Sequence, residues 1–108
     1  IKGIAHITGG GLPGNAPRMF GKQKLGIVLD NLPRPPTAML ELKKLGNVSG
    51  REAYETWNMG IGMVLVTENT QKALGFLKKA GLKASVIGKV LEKPGVLIKT
   101  NNKRVLKY

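Results

Sequence analysis

The stretch MVLVTENTQKALGFLKKAGLKASVIGKVLE, residues 63–92, decides the fold class that the sequence predicts. It opens with MVLVT, the most apolar run of the chain, which is typical of a central β-strand. Residues 70–80 have helical periodicity, with lysines that can reach solvent and Gly81 as the stop. ASVIGKVLE is then a second strand, and the unit is long enough for a strand–helix–strand crossover. The apolar face of the helix has these members: Ala73, Phe76, Leu77 and Ala80.

Further strands are predicted on both sides of this unit. GIAHI (3–7) is a short apolar, β-branched run that glycines end. KLGIVLD (24–30) is closed by NLPRPP, whose prolines exclude both a helix interior and a central strand. Near the other end of the chain, GVLIK (95–99) is a strand that a KPG turn joins to ASVIGKVLE.

Additional helices are predicted between KLGIVLD and MVLVT. One covers 37–45 and stops at Gly46. Ser49 and Glu52 have the spacing of a capping box, so a second helix begins there and ends near Asn58. The first of these helices offers three leucines for packing: Leu40, Leu42 and Leu45.

The alternation of strands and helices predicts an α/β (α+β) fold, in which one domain has a mixed β-sheet packed with helices. A chain of 108 residues with 42% hydrophobic side chains can bury a core. The sequence has no secretion signal and no apolar run long enough for a transmembrane helix. It begins at Ile1 rather than at methionine, so we expect a processed chain or an excised domain. The absence of cysteine excludes disulfides and agrees with a cytoplasmic location.

The charge balance predicts an anionic partner. Lys and Arg number 18 against 6 Asp and Glu, a formal net charge of +12. The lysines are spread thinly and become denser only in a basic tail, residues 93–108. Aromatic residues make up 5% of the chain and none interleaves with that tail, which argues against a dedicated nucleic-acid binder. A phosphate-rich substrate explains the charge more simply, while a non-enzymatic basic module for phosphate or nucleic acid stays the alternative.

Catalysis by this chain alone is not expected. Its six carboxylates are dispersed and form no acidic pair within the glycine-rich stretch, whereas Mg²⁺ prefers carboxylate oxygens beside substrate phosphates. A single histidine, His6, cannot make a histidine-based zinc site, and no nucleophile-elbow motif surrounds a serine. We therefore predict no metal site.

The glycine-rich stretch HITGGGLPGN (6–15) has two interpretations. Its glycines lie between a strand and a helix start, where backbone N–H groups can converge on an anion without interference from Cβ atoms. Alternatively, the glycines only permit positive φ in a sharp turn. The stretch is neither a P-loop nor a G-x-G-x-x-G fingerprint.

Three side chains near the glycines each have a functional and a structural interpretation. His6, at the carboxyl end of the first strand, can donate to a phosphate or an amide oxygen, move a proton, or satisfy backbone groups. Arg18 has the fork geometry for a phosphate, or it is a solvated surface arginine. Asn15 contacts a ligand or caps a short helix that has Pro17 in its first turn, and the cap is preferred. Trp57 and Met59 are predicted to lie in the core.

These motifs resemble a known family. GIAHITGGGLPGNAPR (3–18) closely resembles the start of the C-terminal domain of AIR synthase, phosphoribosylformylglycinamidine cyclo-ligase. GNVSGREAYETWNMGIGMVLV (46–66) resembles the family's G-N-V…E-x-Y-x-T-[FW]-N-[CM]-G-[IV]-G-M segment, and ASVIGKV (84–90) is similar to its late strand. Selenophosphate synthetase and formylglycinamidine ribonucleotide amidotransferase are related, but the combined motifs favour AIR synthase.

The resemblance implies an activity and partners. Enzymes of the family use ATP and magnesium to convert formylglycinamidine ribonucleotide into aminoimidazole ribonucleotide in purine biosynthesis, and they are typically cytoplasmic homodimers. Their active site lies between an N-terminal domain with most ATP and metal contacts and a C-terminal domain that is partly ferredoxin-like. Nothing here resembles the N-terminal domain, so we expect this chain alone to hold neither ATP nor Mg²⁺ and to be inactive.

The resemblance also implies a site, whose residues would face the cleft between the two domains. The glycine amides and Arg18 would hold a phosphate of substrate or ATP, and His6 would touch the reacting amide or a phosphate. Asn58, Gly60 and Gly62 match the second motif and are predicted to shape the turn before MVLVT. The complete set that the resemblance implies is His6 as catalytic, with Thr8, Gly9, Gly10, Gly11, Asn15 and Arg18 as substrate- or phosphate-binding.

Overall fold

Two β-sheets, rather than the single predicted sheet, build the α/β domain in a computed structural model that describes all 108 residues. A short 3₁₀ helix, Ala16–Phe20, follows the first α-helix. The α-helices are α1 (Gly11–Asn15), α2 (Thr37–Leu45), α3 (Gly50–Thr56) and α4 (Thr70–Lys79). The strands are β1 (Gly3–His6), β2 (Gly26–Leu29), β3 (Met63–Val66), β4 (Lys89–Leu91), β5 (Gly95–Lys99) and β6 (Val105–Lys107).

Sheet A consists of β1 and β3 alone. The strands are antiparallel, with Ile4 opposite Leu65 and His6 opposite Met63. The prediction that MVLVT forms a central strand is wrong, because β3 has one neighbour and its other edge is free. Val64 is buried on one face of β3, whereas Met63 is exposed on the other face. The composition of the strand does not show which of its apolar residues are buried.

Sheet B has the strand order β4-β2-β5-β6. β2 is antiparallel to β4 and parallel to β5, and β6 is antiparallel to β5. The predicted crossover within one sheet is therefore wrong, because β3 and β4 lie in different sheets. β4 and β5 are also not a hairpin, since β2 lies between them. Both errors have one cause: hydrophobic periodicity shows which residues extend, but not which strands pair.

Only the second half of ASVIGKVLE is a strand. Its first half runs beside β2 without joining the sheet, held by Asn31, whose Nδ2 donates to the Val86 carbonyl at 2.7 Å. A Cβ at Gly88 would lie 2.0 Å from the Val28 carbonyl oxygen. Glycine at this position therefore lets the approaching segment touch the backbone of β2.

One hydrophobic core connects the two sheets with the first helices. Its deepest side chains are Leu12 of α1 and Ile98 of β5, both with no exposed surface. Sheet A contributes Ala5 and Val64, and α3 contributes Tyr54. This core places the end of β1, the start of α1 and the helix α3 next to one another.

Helices α2 and α4 form where the sequence predicts them. α2 begins and ends at the predicted residues, with Gly46 as its C-cap, and Gly81 has the positive φ expected just after α4. Neither helix buries a residue, however, and Leu45 is 82% exposed. Leu42 and Leu45, which the sequence made available for packing, are thus both exposed, and Phe76 of the apolar face of α4 is exposed as well.

Two further observations concern length and charge. The segment 93–108, predicted as a basic tail, contains β5 and β6, so two of its basic residues, Lys99 and Lys107, lie in strands of sheet B. The longest helix has 10 residues, and no helix is both long and apolar enough to cross a bilayer.

Candidate functional site

The glycine-rich loop connects β1 to α1 and is shaped by left-handed backbone. Gly10 and Gly11 have φ of 95° and 59°. A Cβ on Gly11 would lie 1.8 Å from the Tyr54 carbonyl oxygen and 2.8 Å from that of Trp57. Any side chain at this position is excluded, because the end of α3 lies directly against the loop.

The loop amides differ in whether they already have an acceptor. The Gly11 N–H donates to the Thr8 carbonyl at 2.9 Å, and the Gly14 N–H donates to that of Gly10 at 3.0 Å. The N–H groups of Gly9 and Gly10 donate to no protein acceptor, and both residues are exposed. Of the glycine amides that sequence predicted as donors, these two remain available to a ligand.

Asn15 stabilises the loop from beneath. Its side chain is 3% exposed, and its Nδ2 donates to the carbonyls of Thr8 at 3.2 Å, Gly9 at 3.2 Å and Gly11 at 2.8 Å. The predicted capping role is wrong, because Asn15 makes no side-chain hydrogen bond to the helix that follows. Asn15 therefore satisfies three carbonyls of the loop, while the N–H groups of Gly9 and Gly10 have no protein acceptor.

A shallow cleft of about 320 Å³ lies beside the loop. It is lined by Ile4, Ala5, His6, Thr8, Asn15 and Arg18. The structure thus brings together four of the seven predicted site residues as a lining. Gly9 and Gly10 adjoin this lining as exposed neighbours of Thr8, whereas Gly11 is buried against α3.

The cleft has a positive electrostatic character. Arg18 is a permanent cation, and no carboxylate lines the cleft. An anion is therefore the ligand that this charge distribution favours. A second cleft, of about 360 Å³, lies at the start of α4, contains the Lys2–Glu68 ion pair at 3.8 Å, and includes none of the predicted site residues.

The donor set does not fit a magnesium ion. No group of three or more His, Cys, Asp or Glu side chains lies close enough together to hold a metal. The polar groups around the cleft are mainly N–H donors, whereas Mg²⁺ binds oxygen ligands. No step that uses a metal is derived from this chain.

A tight turn precedes β3. Met59 and Gly60 both have positive φ, at 51° and 90°, and the Ile61 N–H donates to the Asn58 carbonyl at 2.9 Å. The Oδ1 of Asn58 accepts from the Gly60 N–H at 2.9 Å. These contacts agree with the turn-shaping role predicted for this motif, and Met59 is buried in the core as predicted.

Sequence reasoning missed the groups that hold Gly11 in place. They are the main-chain carbonyls of Tyr54 and Trp57, which carry no sequence signal of their own. The glycine at position 11 is the only available signal, because only a residue without a side chain leaves room for these carbonyls. We note also that burial raises the pKa of the Tyr54 phenol.

Comparison with known proteins identifies the family. A family described as "AIR synthase related protein, C-terminal domain" matches residues 1–100. The chain belongs to this family. Curated relatives named phosphoribosylformylglycinamidine cyclo-ligase include one from Thermoanaerobacter sp. (strain X514), 42% identical over 100 residues, which are 91% of this chain and 30% of that protein.

Two other relatives carry the same name. The protein from Syntrophotalea carbinolica is 47% identical over 93 residues, or 83% of this chain and 26% of that protein. The protein from Oceanobacillus iheyensis is 44% identical over 99 residues, or 89% of this chain and 29% of that protein. The chain therefore spans less than a third of the length of these AIR synthase relatives, and the resemblance on which the sequence analysis relied is confirmed.

Proposed function

We propose that this chain is the substrate-side, C-terminal domain of a cyclo-ligase that converts formylglycinamidine ribonucleotide into aminoimidazole ribonucleotide with ATP, in purine biosynthesis. The observation that carries the proposal is the carboxylate-free cleft at the end of β1, where His6 and Arg18 are lining residues and the exposed Gly9 and Gly10, with free amides, follow the lining residue Thr8. The names of the relatives supply the reaction.

In this proposal the free N–H groups of Gly9 and Gly10 and the guanidinium of Arg18 hold a phosphate. Asn15 keeps the loop carbonyls turned away from that anion, and Thr8 offers a hydroxyl at the cleft wall. His6 lies farther along the same cleft, where its imidazole donates to the reacting amide oxygen or to a phosphate.

The remaining parts of the active site come from a second, N-terminal domain of the longer protein. Ile4 and Met63, on the outward face of sheet A beside His6, are 59% and 58% exposed, which supports a covered surface here. That domain supplies the Mg²⁺ ligands and most ATP contacts, since this chain has no suitable donor set. Homodimerisation and a cytoplasmic location complete the proposal.

Ligand titration tests the phosphate site directly. In the ¹⁵N-labelled chain, ribose 5-phosphate at millimolar concentration should shift the Gly9 and Gly10 amide signals more than the Gly11 signal. Gly9→Val should keep the fold, because a Cβ at Gly9 meets nothing within 4 Å. It should abolish the response to ribose 5-phosphate, because the branched side chain covers the free amides.

Gly14→Ala is the matched control. Position 14 is also open to a Cβ, with nothing within 4 Å, but lies on the helix rather than at the free amides. This variant should bind ribose 5-phosphate like the wild type. Undisturbed binding in folded Gly9→Val would show that the free glycine amides do not contact the phosphate.

A chimera tests the reaction itself. Residues 1–100 replace the matched segment of the Oceanobacillus iheyensis relative, and turnover is measured with formylglycinamidine ribonucleotide and ATP. We expect cyclisation by the chimera, none by the isolated chain, and none by the chimera carrying Gly9→Val. ATP-dependent cyclisation by the isolated chain would refute the assignment of the metal and ATP contacts to another domain.

A further inference from the structure

Tyr108 contacts Arg51 in the first turn of α3. The guanidinium carbon of Arg51 lies 4.4 Å from the centroid of the Tyr108 ring, and the Tyr108 hydroxyl donates to the Arg51 carbonyl at 2.8 Å. Arg51 Nη1 donates in turn to the Lys107 carbonyl. Arg51 Nε also lies 3.6 Å from Glu55 Oε1, one turn along the helix. The contact therefore involves the side chain and carbonyl of Arg51, the side chain of Tyr108 and the carbonyl of Lys107.

Tyr108 is itself anchored in sheet B. Its N–H donates to the Val96 carbonyl at 2.9 Å, and the Val96 N–H donates back at 3.4 Å. The ring packs against the hydrophobic core. The contact with Arg51 thus connects α3 to the edge of a four-stranded sheet rather than to a loose chain end.

The same helix forms the support of the glycine-rich loop. Arg51 and Tyr54 are nearly one turn apart on α3, and the Tyr54 carbonyl is the group that a Cβ on Gly11 would meet at 1.8 Å. A shift of α3 by a fraction of an ångström would change this contact, because packed interiors transmit small displacements. Gly9 and Gly10 precede Gly11 directly, so their amides would move with it.

We propose that Arg51 and Tyr108 are positioning residues, which hold α3 against the glycine-rich loop and so set the geometry of the Gly9 and Gly10 amides. The matched family region ends at residue 100, so Tyr108 lies outside it. The predicted effect on ligand binding rests on the phosphate site proposed above, whereas the mechanical coupling does not.

Binding measurements test the effect on the site. Tyr108→Ala should weaken ribose 5-phosphate binding about three- to ten-fold, the size of coupling that packed networks carry. Tyr108→Phe keeps the ring over Arg51 and should restore most of the affinity, and Arg51→Lys should resemble Tyr108→Ala because an ammonium lacks the guanidinium fork. Asn101→Ala is the control: it removes a hydrogen bond to the Leu32 carbonyl from the same segment without touching Arg51.

Hydrogen exchange of the ligand-free chain tests the coupling by itself. The amides of Gly11 and Gly14 are hydrogen-bonded within the loop and should exchange faster in Tyr108→Ala, with little change at Ile27 in the centre of sheet B. Should Tyr108→Ala fail to fold, Arg51→Lys provides the same comparison. Unchanged exchange at Gly11 in a folded variant, or an equal effect of Asn101→Ala, would overturn the inference.

The two proposals fail in different ways. A wild-type chain that does not respond to ribose 5-phosphate refutes the phosphate site, but faster Gly11 exchange in Tyr108→Ala would still support the coupling. A wild-type chain that binds, with Tyr108→Ala binding equally well, supports the phosphate site and refutes the positioning role.

Discussion

Asn15 shows how one buried amide can determine the polarity of a loop. It is the one polar or charged side chain in the buried set, and three carbonyls share its Nδ2 hydrogens. A loop carbonyl that accepts a hydrogen bond from the Asn15 side-chain amide is directed towards that amide. It therefore cannot also face an anion on the other side of the loop.

Substituting Asn15 should therefore reduce stability. Asn15→Ala removes the Nδ2 hydrogen bonds to the carbonyls of Thr8, Gly9 and Gly11, of which Thr8 keeps the Gly11 N–H as a donor, and we expect a loss of about 1–3 kcal/mol in the free energy of unfolding. Asn15→Asp should destabilise further, since a carboxylate would face three carbonyl oxygens. Urea denaturation measures both. Gln23→Ala, at an exposed position, is the control, and equal midpoints for Gln23→Ala and Asn15→Ala would contradict the assigned role.

Tyr108 predicts a stability loss in alkali. Burial, and then the charge of Glu55, raise the pKa of Tyr108 from 10.0 to about 12, against the opposing effect of Arg51. The unfolded chain releases this proton first, so the contribution of Tyr108 is constant below about pH 10 and is lost as pH rises towards about 12. The urea midpoint of wild type should fall more steeply than that of Tyr108→Phe over this range. Parallel profiles would show that the hydroxyl does not contribute.

At the residue scale, the sequence grouped residues that line one cleft but did not predict the contacts that hold them. His6, Thr8, Asn15 and Arg18 come together because they are close along the chain, so a local motif was enough to group them. The role of Asn15 and the support of Gly11 were not predictable, because both depend on where backbone carbonyls point. The carbonyls beside Gly11 belong to Tyr54 and Trp57, which are distant from it in sequence.

Secondary-structure elements were predicted better than their pairing. The bounds of α2 and the Ser49 cap, which accepts from the Glu52 N–H at 3.1 Å, follow from local signals. The partners of β3 and β4 do not, because an apolar strand is equally suited to a centre or an edge. Leu45 misled in the same way, since helical periodicity predicts an apolar stripe but not what covers it.

Two glycines in different elements should respond oppositely to alanine. Gly75 lies within α4, where a Cβ would meet nothing within 4 Å, so Gly75→Ala should stabilise by about 0.5–1 kcal/mol. Gly26 lies in β2, where a Cβ would be 2.1 Å from the Lys93 carbonyl oxygen. Gly26→Ala should destabilise by several kcal/mol or prevent folding. Thermal melts decide the matter, and a raised melting temperature for Gly26→Ala would mean that β2 and β5 are not packed as described.

For the whole molecule, charge is poorly compensated. Against a net charge of +12, only two ion pairs form, Lys2–Glu68 and Arg51–Glu55, and both are exposed. Exposed pairs contribute little, so repulsion among the cations is the larger electrostatic effect. The proposed phosphate site lies within this positive field.

Added salt should therefore stabilise the fold and weaken anion binding together. Raising KCl from about 20 to about 300 mM shortens the screening length from roughly 20 Å to below 8 Å, which reduces repulsion between lysines. We expect the melting temperature to rise by a few degrees while the dissociation constant for ribose 5-phosphate increases. Sodium sulfate is avoided because sulfate would bind the same site. A melting temperature that falls with KCl would indicate that attractive pairs dominate.

The parallel pairing of β2 with β5 has a consequence for how the chain acquires its structure. Ile27 lies opposite Val96, about 70 residues further along the chain, and β6 then adds to the far side of β5. During synthesis the residues of β2 are present long before those of its partner β5. The edge of β2 that will pair with β5 therefore stays exposed until then. Sheet A, by contrast, needs only the chain up to Val66. We infer an order of assembly in which sheet A and α1 form early and sheet B closes last, when Tyr108 reaches Arg51.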